Sequence, residues 1–506
     1  MGRHRPKSSD LWKGQNWKQF RKTLFRLQRR VYKAVQAGDL RKARSLQKLI
    51  LKSRSAQLLA IRQVTQLNQG KKTAGIDGKT ALNYEERLEI LEIMKGNALN
   101  WYHSGLREIP IPKKNGKIRI LKIPTIADRA WQCLAKFALE PAHEATFHAR
   151  SYGFRTGRSA HDAQKYVFQN LSTRAKGITK RVIELDIKKC FDRISHKSIM
   201  DRLIAPASLK TGIFRCLKAG VDLKFPEQGT PQGGVVSPLL ANIALDGIED
   251  IHPSVRYADD MVIFLKPKDD AEKVLNKIKA FLAEREMEIS EEKTKITKTT
   301  DGFDFLGWHM RVKQNGKFQC TPSMENHRAI RRKIKAIVNS SNYGAKIKAK
   351  KLAPIVRGWR NYHKYCDMSS SRDSLWFMNN TAHRKFRSEK KVDRYQASEL
   401  CKKGFPAVGY EQNKHVMVKG TKSPYDGDLV YWSQRNSQLY SDATAKALKK
   451  QNHSCGYCGL KFTDEERIHL HHIDGNHHNW KKNNLMAVHQ SCHQYIHGSR
   501  SKDQDI

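Results

Sequence analysis

The chain has 506 residues, with 95 Lys or Arg against 49 Asp or Glu, a formal charge of +46, and 39% apolar residues. That apolar share excludes a disordered chain, the length argues for three or four domains, and no apolar run approaches the roughly 18 residues a membrane span needs. A charge surplus this large repels itself unless a polyanion neutralises it; spread along the chain, it points to nucleic acid and away from a merely soluble basic protein.

Residues 1–60 hold 17 Lys or Arg and two acids, Asp10 and Asp39. Trp17, Phe20, Leu24, Leu27, Val31 and Ala34 recur at helical spacing, Gly38-Asp39 stops that helix, and Asp39 can cap the next. Leu46, Leu49, Ser53, Ala56, Ala60, Val64 and Leu67 continue as a second stripe up to Gly70. A basic helical extension is expected over 1–70, its apolar stripe in a core and its basic face open to RNA. Around Asn115-Gly116, alternating apolar residues from Ile109 to Leu121 predict a hairpin. Strands are expected near 182–187, 255–265 and 303–311 and a helix over 271–285, giving an α+β region over 71–315. From about 325 the pattern is helical and basic (Arg328, Arg331, Arg332, Lys333, Lys335, then Lys346, Lys348, Lys350, Lys351) and leads into Gly358-Trp359-Arg-Asn361-Tyr362. Aromatics inside with bases outside is the reading for 325–385. Residues 390–445 are polar with few periodic runs and read as a linker or a small irregular domain. There is no internal repeat.

Tyr257-Ala258-Asp259-Asp260, with apolar runs on both sides, suggests a hairpin with two acids at its turn. Alone it could be an ordinary Asp-containing turn. It is accompanied by Val182-Ile-Glu-Leu-Asp186, which puts a third carboxylate at a strand end. Also present is the Gly-rich Gly229-Thr-Pro-Gln232-Gly-Gly, opening a helix whose N-terminus would favour phosphate. In-line nucleotidyl transfer needs two Mg²⁺ ions, and three aspartates from two strands suit that demand.

With Ser151-Tyr-Gly-Phe-Arg-Thr-Gly-Arg158-Ser-Ala-His161, Phe305-Leu-Gly-Trp308 and Gly75-Ile-Asp-Gly78, these blocks resemble a group II intron reverse transcriptase, or intron-encoded maturase, over nearly the whole chain. The resemblance implies a right-hand polymerase, with fingers and palm over 71–315 and a thumb or maturase domain over 325–385. It implies Asp186, Asp259 and Asp260 as Mg²⁺ ligands and Phe191 as a steric gate against the 2′-hydroxyl. Lys113 and Arg119 would grip the triphosphate of a dNTP, and Gln232 would touch the nucleotide. A core role for Phe191 and an exposed hairpin face for Lys113 and Arg119 are the competing readings. Group II intron RNA is the implied partner, with a homodimer or a ribonucleoprotein as the working form.

Of nine Cys, six (Cys133, Cys190, Cys216, Cys320, Cys366, Cys401) are scattered singly, while Cys455, Cys458 and Cys492 cluster near the end. Cys455-Gly-Tyr-Cys458 followed by His489-Gln-Ser-Cys492 spells a Cys₃His structural Zn²⁺ site. The remaining His471-His472, Asn484, His493 and His497 resemble an HNH endonuclease motif over 450–500, a ββα-metal module. In that reading His472 is the general base and Asn484 orients the loop or the base. His471 with one or both of His493 and His497 holds a divalent ion. A plain zinc finger is the competing reading; His469, His477 and His478 are expected in solvent. Together the resemblances imply RNA-directed DNA polymerase, splicing maturase and DNA endonuclease activities in target-primed intron mobility (retrohoming), with 390–445 linking or contacting target DNA. All three aspartates argue against a splicing-only maturase or a decayed polymerase. The maturase block and metal tail argue against other bacterial reverse transcriptases. Location in a bacterial cytoplasm at the nucleoid, or in an organelle matrix, is expected.

Overall fold

The computed structural model describes residues 8–500 except 113–115, 117, 221–223, 390–391, 441 and 463–467. Four helices come first: α1 (Ser8–Lys13), α2 (Trp17–Gln36), α3 (Leu40–Lys52) and α4 (Arg54–Arg62). Asp39 caps α3, its carboxylate accepting the Lys42 N–H at 2.9 Å. The second stripe is not the single helix its spacing predicts. Ser53 ends α3 and caps α4 through the Ala56 N–H, and Leu49 faces solvent. A serine hydroxyl competes for backbone donors, which breaks the run there.

Next come α5 (Tyr84–Asn97), the antiparallel pair β1 (Arg107–Pro112) and β2 (Ile118–Ile123), α6 (Ile126–Glu144) and α7 (Ala160–Leu171). The central region follows: β3 (Arg181–Asp186), α8 (Cys190–Arg193), α9 (His196–Arg202), α10 (Ala207–Lys218), α11 (Ser237–Leu245), β4 (Ser254–Tyr257), β5 (Asp260–Leu265), α12 (Ala271–Ala283) and β6 (Lys295–Lys298). Its four strands form one antiparallel sheet in the order β4-β5-β3-β6. A three-stranded sheet, β7 (Phe303–Phe305), β8 (Trp308–Val312) and β9 (Phe318–Pro322), leads into α13 (Met324–Val338), α14 (Ala345–Tyr362), α15 (Trp376–Arg387) and α16 (Arg394–Gly404). Finally come α17 (Leu429–Leu439), α18 (Asp442–Lys450), the pair β10 (Ile468–His472) and β11 (Leu485–His489), and α19 (Gln490–Arg500).

The cores do not follow the divisions expected from sequence. Leu24, Val31 and Ile50 of the N-terminal helices, Trp131 of α6 and Ile183 and Ile263 of the central sheet share one core, so residue 70 is no core boundary. The other face of that sheet, Val182, Val255, Val262 and Phe264, belongs to a second core with Trp308, Leu352, Trp359 and Phe386. Alternate side chains of a strand point to opposite faces, so β3 and β5 feed both cores. A third, small core holds the C-terminal module.

The segment 390–445 is not a plain linker. α16 packs on α14, its Ala397 and Cys401 buried in the second core. The chain after it is strapped onto α6 and α7. Arg158 donates to the Gly420 carbonyl, and the Tyr425 hydroxyl donates to Glu140 at 3.0 Å. Trp432 stands where Gly157, at φ +82°, has no Cβ; one there would lie 2.8 Å from the indole. No helix among the described residues is long and apolar enough to cross a membrane.

Candidate functional site

β4 and β5 are joined by Ala258-Asp259, with Tyr257 paired to Asp260. Ala258 sits at φ +59°, a left-handed conformation that costs an alanine energy and persists only where neighbours enforce it. The neighbours are identifiable. Arg256 is fully buried and ion-pairs with buried Glu249 at 2.6 Å. It also donates to Asn242 Oδ1 at 3.0 Å, to the Ala258 carbonyl at 3.1 Å and to Ser151 Oγ at 2.9 Å. Gly153 lies so close that a Cβ there would stand 2.4 Å from the Ala258 nitrogen. Asn242 holds the Gly153 carbonyl at 2.8 Å. The block 151–161 therefore braces the acidic turn.

Asp186, the last residue of β3, is paired directly with Asp260, the first of β5. The three carboxylates thus meet at one end of one sheet, where neighbouring strands are about 4.8 Å apart. Lost hydration, then the charges of Asp259 and Asp186, push Asp260 up to about 6. Its side chain still meets solvent, so the crowding of like charges matters there as well as depth. Burial and the Asp186 charge raise Asp259 too, with Arg119 and Lys293 opposing. Lys293 reaches Asp186 Oδ2 at 2.8 Å. Among the described residues, two Cys/His groups have all their donor atoms within 4.8 Å of one another; the aspartates are not such a group. As hard oxygen donors crowded against their own repulsion, they nonetheless fit a divalent cation.

Around them, Phe191 in α8 is half-buried, edge-on to Phe154 at 6.5 Å. Its carbonyl accepts the Thr230 N–H at 2.7 Å, tying α8 to the Gly-rich turn. Gln232 donates to Asp192 at 2.8 Å, and its carbonyl accepts the Lys122 N–H, tying the turn to β2. Arg119 is exposed on β2, near enough for its charge to act on Asp259. Lys113 lies outside the described residues. At the start of α11, Val236 and Ser237 are buried and Ser237 Oγ donates to the Pro231 carbonyl.

Trp359 donates to Asn326 at 2.9 Å, and Tyr362 stacks on buried Trp308 at 4.7 Å and 8° while donating to the Leu306 carbonyl. Both are structural; Arg328, Lys333, Lys346, Lys350 and Lys351 are exposed. Lys348, expected with them, is buried and bonded to Glu389 at 2.8 Å. Cys320 and Cys366, apart in sequence, lie 3.7 Å apart in the second core.

At the other end of the chain, Cys455, Cys458, His489 and Cys492 are all buried with mutually close donor atoms. β11 delivers His489 and the first turn of α19 delivers Cys492. The Cys458 N–H points at Cys455 Sγ at 3.4 Å. Three soft thiols and one imidazole converging in a small core fit a closed tetrahedral Zn²⁺ site. His471, His493 and His497 form a second group, with the two α19 Nε2 atoms 3.3 Å apart. Burial, then His497, His469 and His471, push His493 down to about 4. His472 alternates to the other side of β10, against His477 at 5.1 Å and Trp480 at 5.2 Å. Its Nε2 is buried with no hydrogen-bond partner among the described residues. Asn484 does not touch it; it staples the β10–β11 loop through Asp474 and the Asn479 carbonyl. His477 and His478 are exposed as expected, His477 with its ring beside His472, whereas His469 is half-buried against His493.

Sequence reasoning missed Arg256, Glu249, Lys293 and Asp162. The one signal was a charged residue, Arg256, inside an apolar strand. Asp162 caps α7 with Ser159 and is fully buried, 3.0 Å from both His415 Nε2 and Arg435 Nη2, and accepts the Val418 N–H. Burial alone would raise its pKa; the His415 hydrogen bond and the Arg435 charge hold it well below the usual carboxylate range.

Three acids at one end of a sheet, with the Gly-rich turn tied to α8 and β2 close by, can hold divalent cations and a nucleotide. Residues 111–310 match the reverse transcriptase (RNA-dependent DNA polymerase) family and 12–94 its N-terminal domain. Residues 327–397 match the group II intron maturase-specific domain, beyond the expected limit of 385. The chain is 40% identical to Maturase-like protein 1 of Euglena gracilis over 409 residues, 79% of this chain and 89% of that one. To Maturase-like protein 1 of Euglena longa it is 36% identical over 449 residues, 88% and 96% of the two chains. To the group II intron-encoded protein LtrA of Lactococcus lactis it is 30% identical over 329 residues, 49% and 54%. The chain belongs to the group II intron reverse transcriptase/maturase family: it is an RNA-directed DNA polymerase with a splicing maturase domain.

Proposed function

We propose that this reverse transcriptase and maturase carries a DNA endonuclease in its C-terminal module and acts in target-primed intron mobility: it binds its intron RNA, cuts one strand of target DNA, and copies the RNA from the 3′ end so made. In the polymerase site Asp186, Asp259 and Asp260 would hold two Mg²⁺ ions, which when bound supply positive charge to the transferred phosphoryl group and to the primer oxygen. Arg119 and Lys113 bind the triphosphate of the dNTP, Gln232 orients the nucleotide, and Phe191 closes the space beside the 2′ carbon. The exposed bases of α13 and α14 bind intron RNA.

In the module, Cys455, Cys458, His489 and Cys492 would hold structural Zn²⁺. His471, His493 and His497 would hold a divalent ion that neutralises charge on the scissile phosphate. His472 takes the proton from the attacking water, and Asn484 fixes the loop that follows it. The observation that carries the endonuclease reading is the pair of separate donor groups on one ββα unit, with an unsatisfied imidazole nitrogen on His472, the strand neighbour of His471, on the opposite side of β10. A plain zinc finger needs only the first group.

The test compares two activities in one His472→Ala preparation. Zinc content and extension of a supplied primer should stay normal, while nicking of target DNA falls at least a hundredfold, the scale of a lost general base. Undiminished nicking would remove His472 from the role; loss of both activities together would refute the independence of the two sites.

A further inference from the structure

A cleft of about 510 Å³ lies between the N-terminal helices and the C-terminal module, on the outer side of Cys458 and Cys492 and away from the aspartates and the second histidine group. One wall carries Trp17, Lys18, Arg21 and Arg62, the other Tyr457 and Tyr495, and no acidic residue lines it. The walls are fastened together: Arg21 donates to the Ser491 hydroxyl, and its Nη2 lies 3.9 Å from Cys492 Sγ. The Arg62 guanidinium lies 4.5 Å over the Trp17 ring. Lys18 is exposed, with its ammonium beside Gly459 of the cysteine knuckle. Tyr457 and Tyr495 form a tilted pair, centroids 5.6 Å apart, and remain 44% and 40% exposed.

Tyrosine rings open to solvent, cations opposite, no acid and room for a nucleotide are the features of a surface that stacks bases and holds phosphates. A buried structural interface would instead cover the two rings. Tyr495 also shares α19 with His493 and His497, two residues away from each and so turned well away from them. A strand seated in the cleft therefore runs along the helix whose other side bears the histidine group.

We propose that this cleft seats a segment of single-stranded nucleic acid, bases against Tyr457 and Tyr495 and phosphates against Lys18 and Arg21. The same chemistry would take an unpaired stretch of target DNA or a loop of intron RNA. Only the first would rest on the endonuclease reading; the cleft itself does not.

Because much of the chain is basic, the test must report position. Short oligonucleotides carrying 5-iododeoxyuridine or 5-iodouridine are photo-crosslinked to the full-length, zinc-loaded chain without added Mg²⁺, and the attached peptides are mapped by mass spectrometry. Crosslinks are expected at Tyr457 or Tyr495. Lys18→Glu, a change at an exposed side chain, should lower their yield about tenfold, as reversal of a phosphate-facing charge would, without changing zinc content or crosslinks elsewhere. Crosslinks from the deoxy oligonucleotide identify DNA as the occupant, and from the ribo oligonucleotide alone, intron RNA; either supports the cleft. Crosslinks elsewhere on the chain with none at the two tyrosines, or a yield unmoved by Lys18→Glu, overturn the proposal. The result does not depend on cutting, so crosslinks at the tyrosines in a chain that never nicks DNA would reject the endonuclease and keep the cleft.

Discussion

Replacing Arg256 by Met keeps the length of the side chain and removes its charge. Four partners lose their donor at once: Glu249, Asn242, Ser151 and the Ala258 carbonyl. Glu249 is fully buried and its second oxygen already has no partner, so the substitution leaves a bare charge inside the protein. Breaking a buried pair from one side costs about 3–5 kcal/mol. At about 2–4 °C per kcal/mol for a domain of this size, the melting temperature should drop by roughly 10 °C. Release of the Ala258 carbonyl also frees the turn that aims Asp259, and misplacement by about 1 Å can cost on the order of a hundredfold in rate. Adding Glu249→Gln removes the stranded charge but not the loosened turn. The double variant should therefore regain much of the stability and little of the primer extension on an RNA template. Thermal melts and extension rates on the three proteins decide it: a single variant within about 1 kcal/mol of the parent, or a double variant that recovers both properties together, would refute this account of the turn.

Asp259→Asn should lower primer extension by at least a hundredfold while leaving intron RNA binding intact; near-normal extension would remove it from the site. Phe191→Val should raise ribonucleotide incorporation relative to deoxyribonucleotide, and an unchanged ratio would leave Phe191 a packing residue only. Asp260 has a folded-state pKa of about 6, above its unfolded value, so its contribution disfavours folding increasingly as pH rises from about 4 to about 6 and is constant above that. In metal-free protein, Asp260→Asn should therefore add more to the melting temperature at pH 7 than at pH 4; an equal gain at both would show that the carboxylate is not strained.

What could be read from the sequence was what neighbours along the chain decide. The β4–β5 hairpin, the strand carrying Asp186 and the CxxC knuckle are local patterns with a period or a fixed spacing. The bracing of the acidic turn was out of reach because Arg256 and Ser151 are 105 residues apart. The tie from Asp162 to His415 spans 253 positions, and no periodicity reports it. That is also why 390–445 looked like a linker: its order comes from contacts with α6, α7 and α14 and hardly from its own propensities. Lys348 shows the same limit on a smaller scale, since a lysine on a basic helix gives no sign that Glu389 waits beneath it.

The strap over α7 has a consequence for how the chain can be divided. The maturase-domain match ends at residue 397, inside α16, and suggests stopping a fragment just past that helix. Such a fragment would lack His415, Val418 and Arg435, leaving Asp162 without three of its donors and held only by the cap of its own helix. It would also uncover the hollow above Gly157 that Trp432 fills. A stable polymerase–maturase piece has to run through α17, so the natural cutting point for removing the metal module is the short stretch between α17 and α18. The two halves of the chain are joined less by the peptide between them than by one carboxylate that neither half satisfies alone.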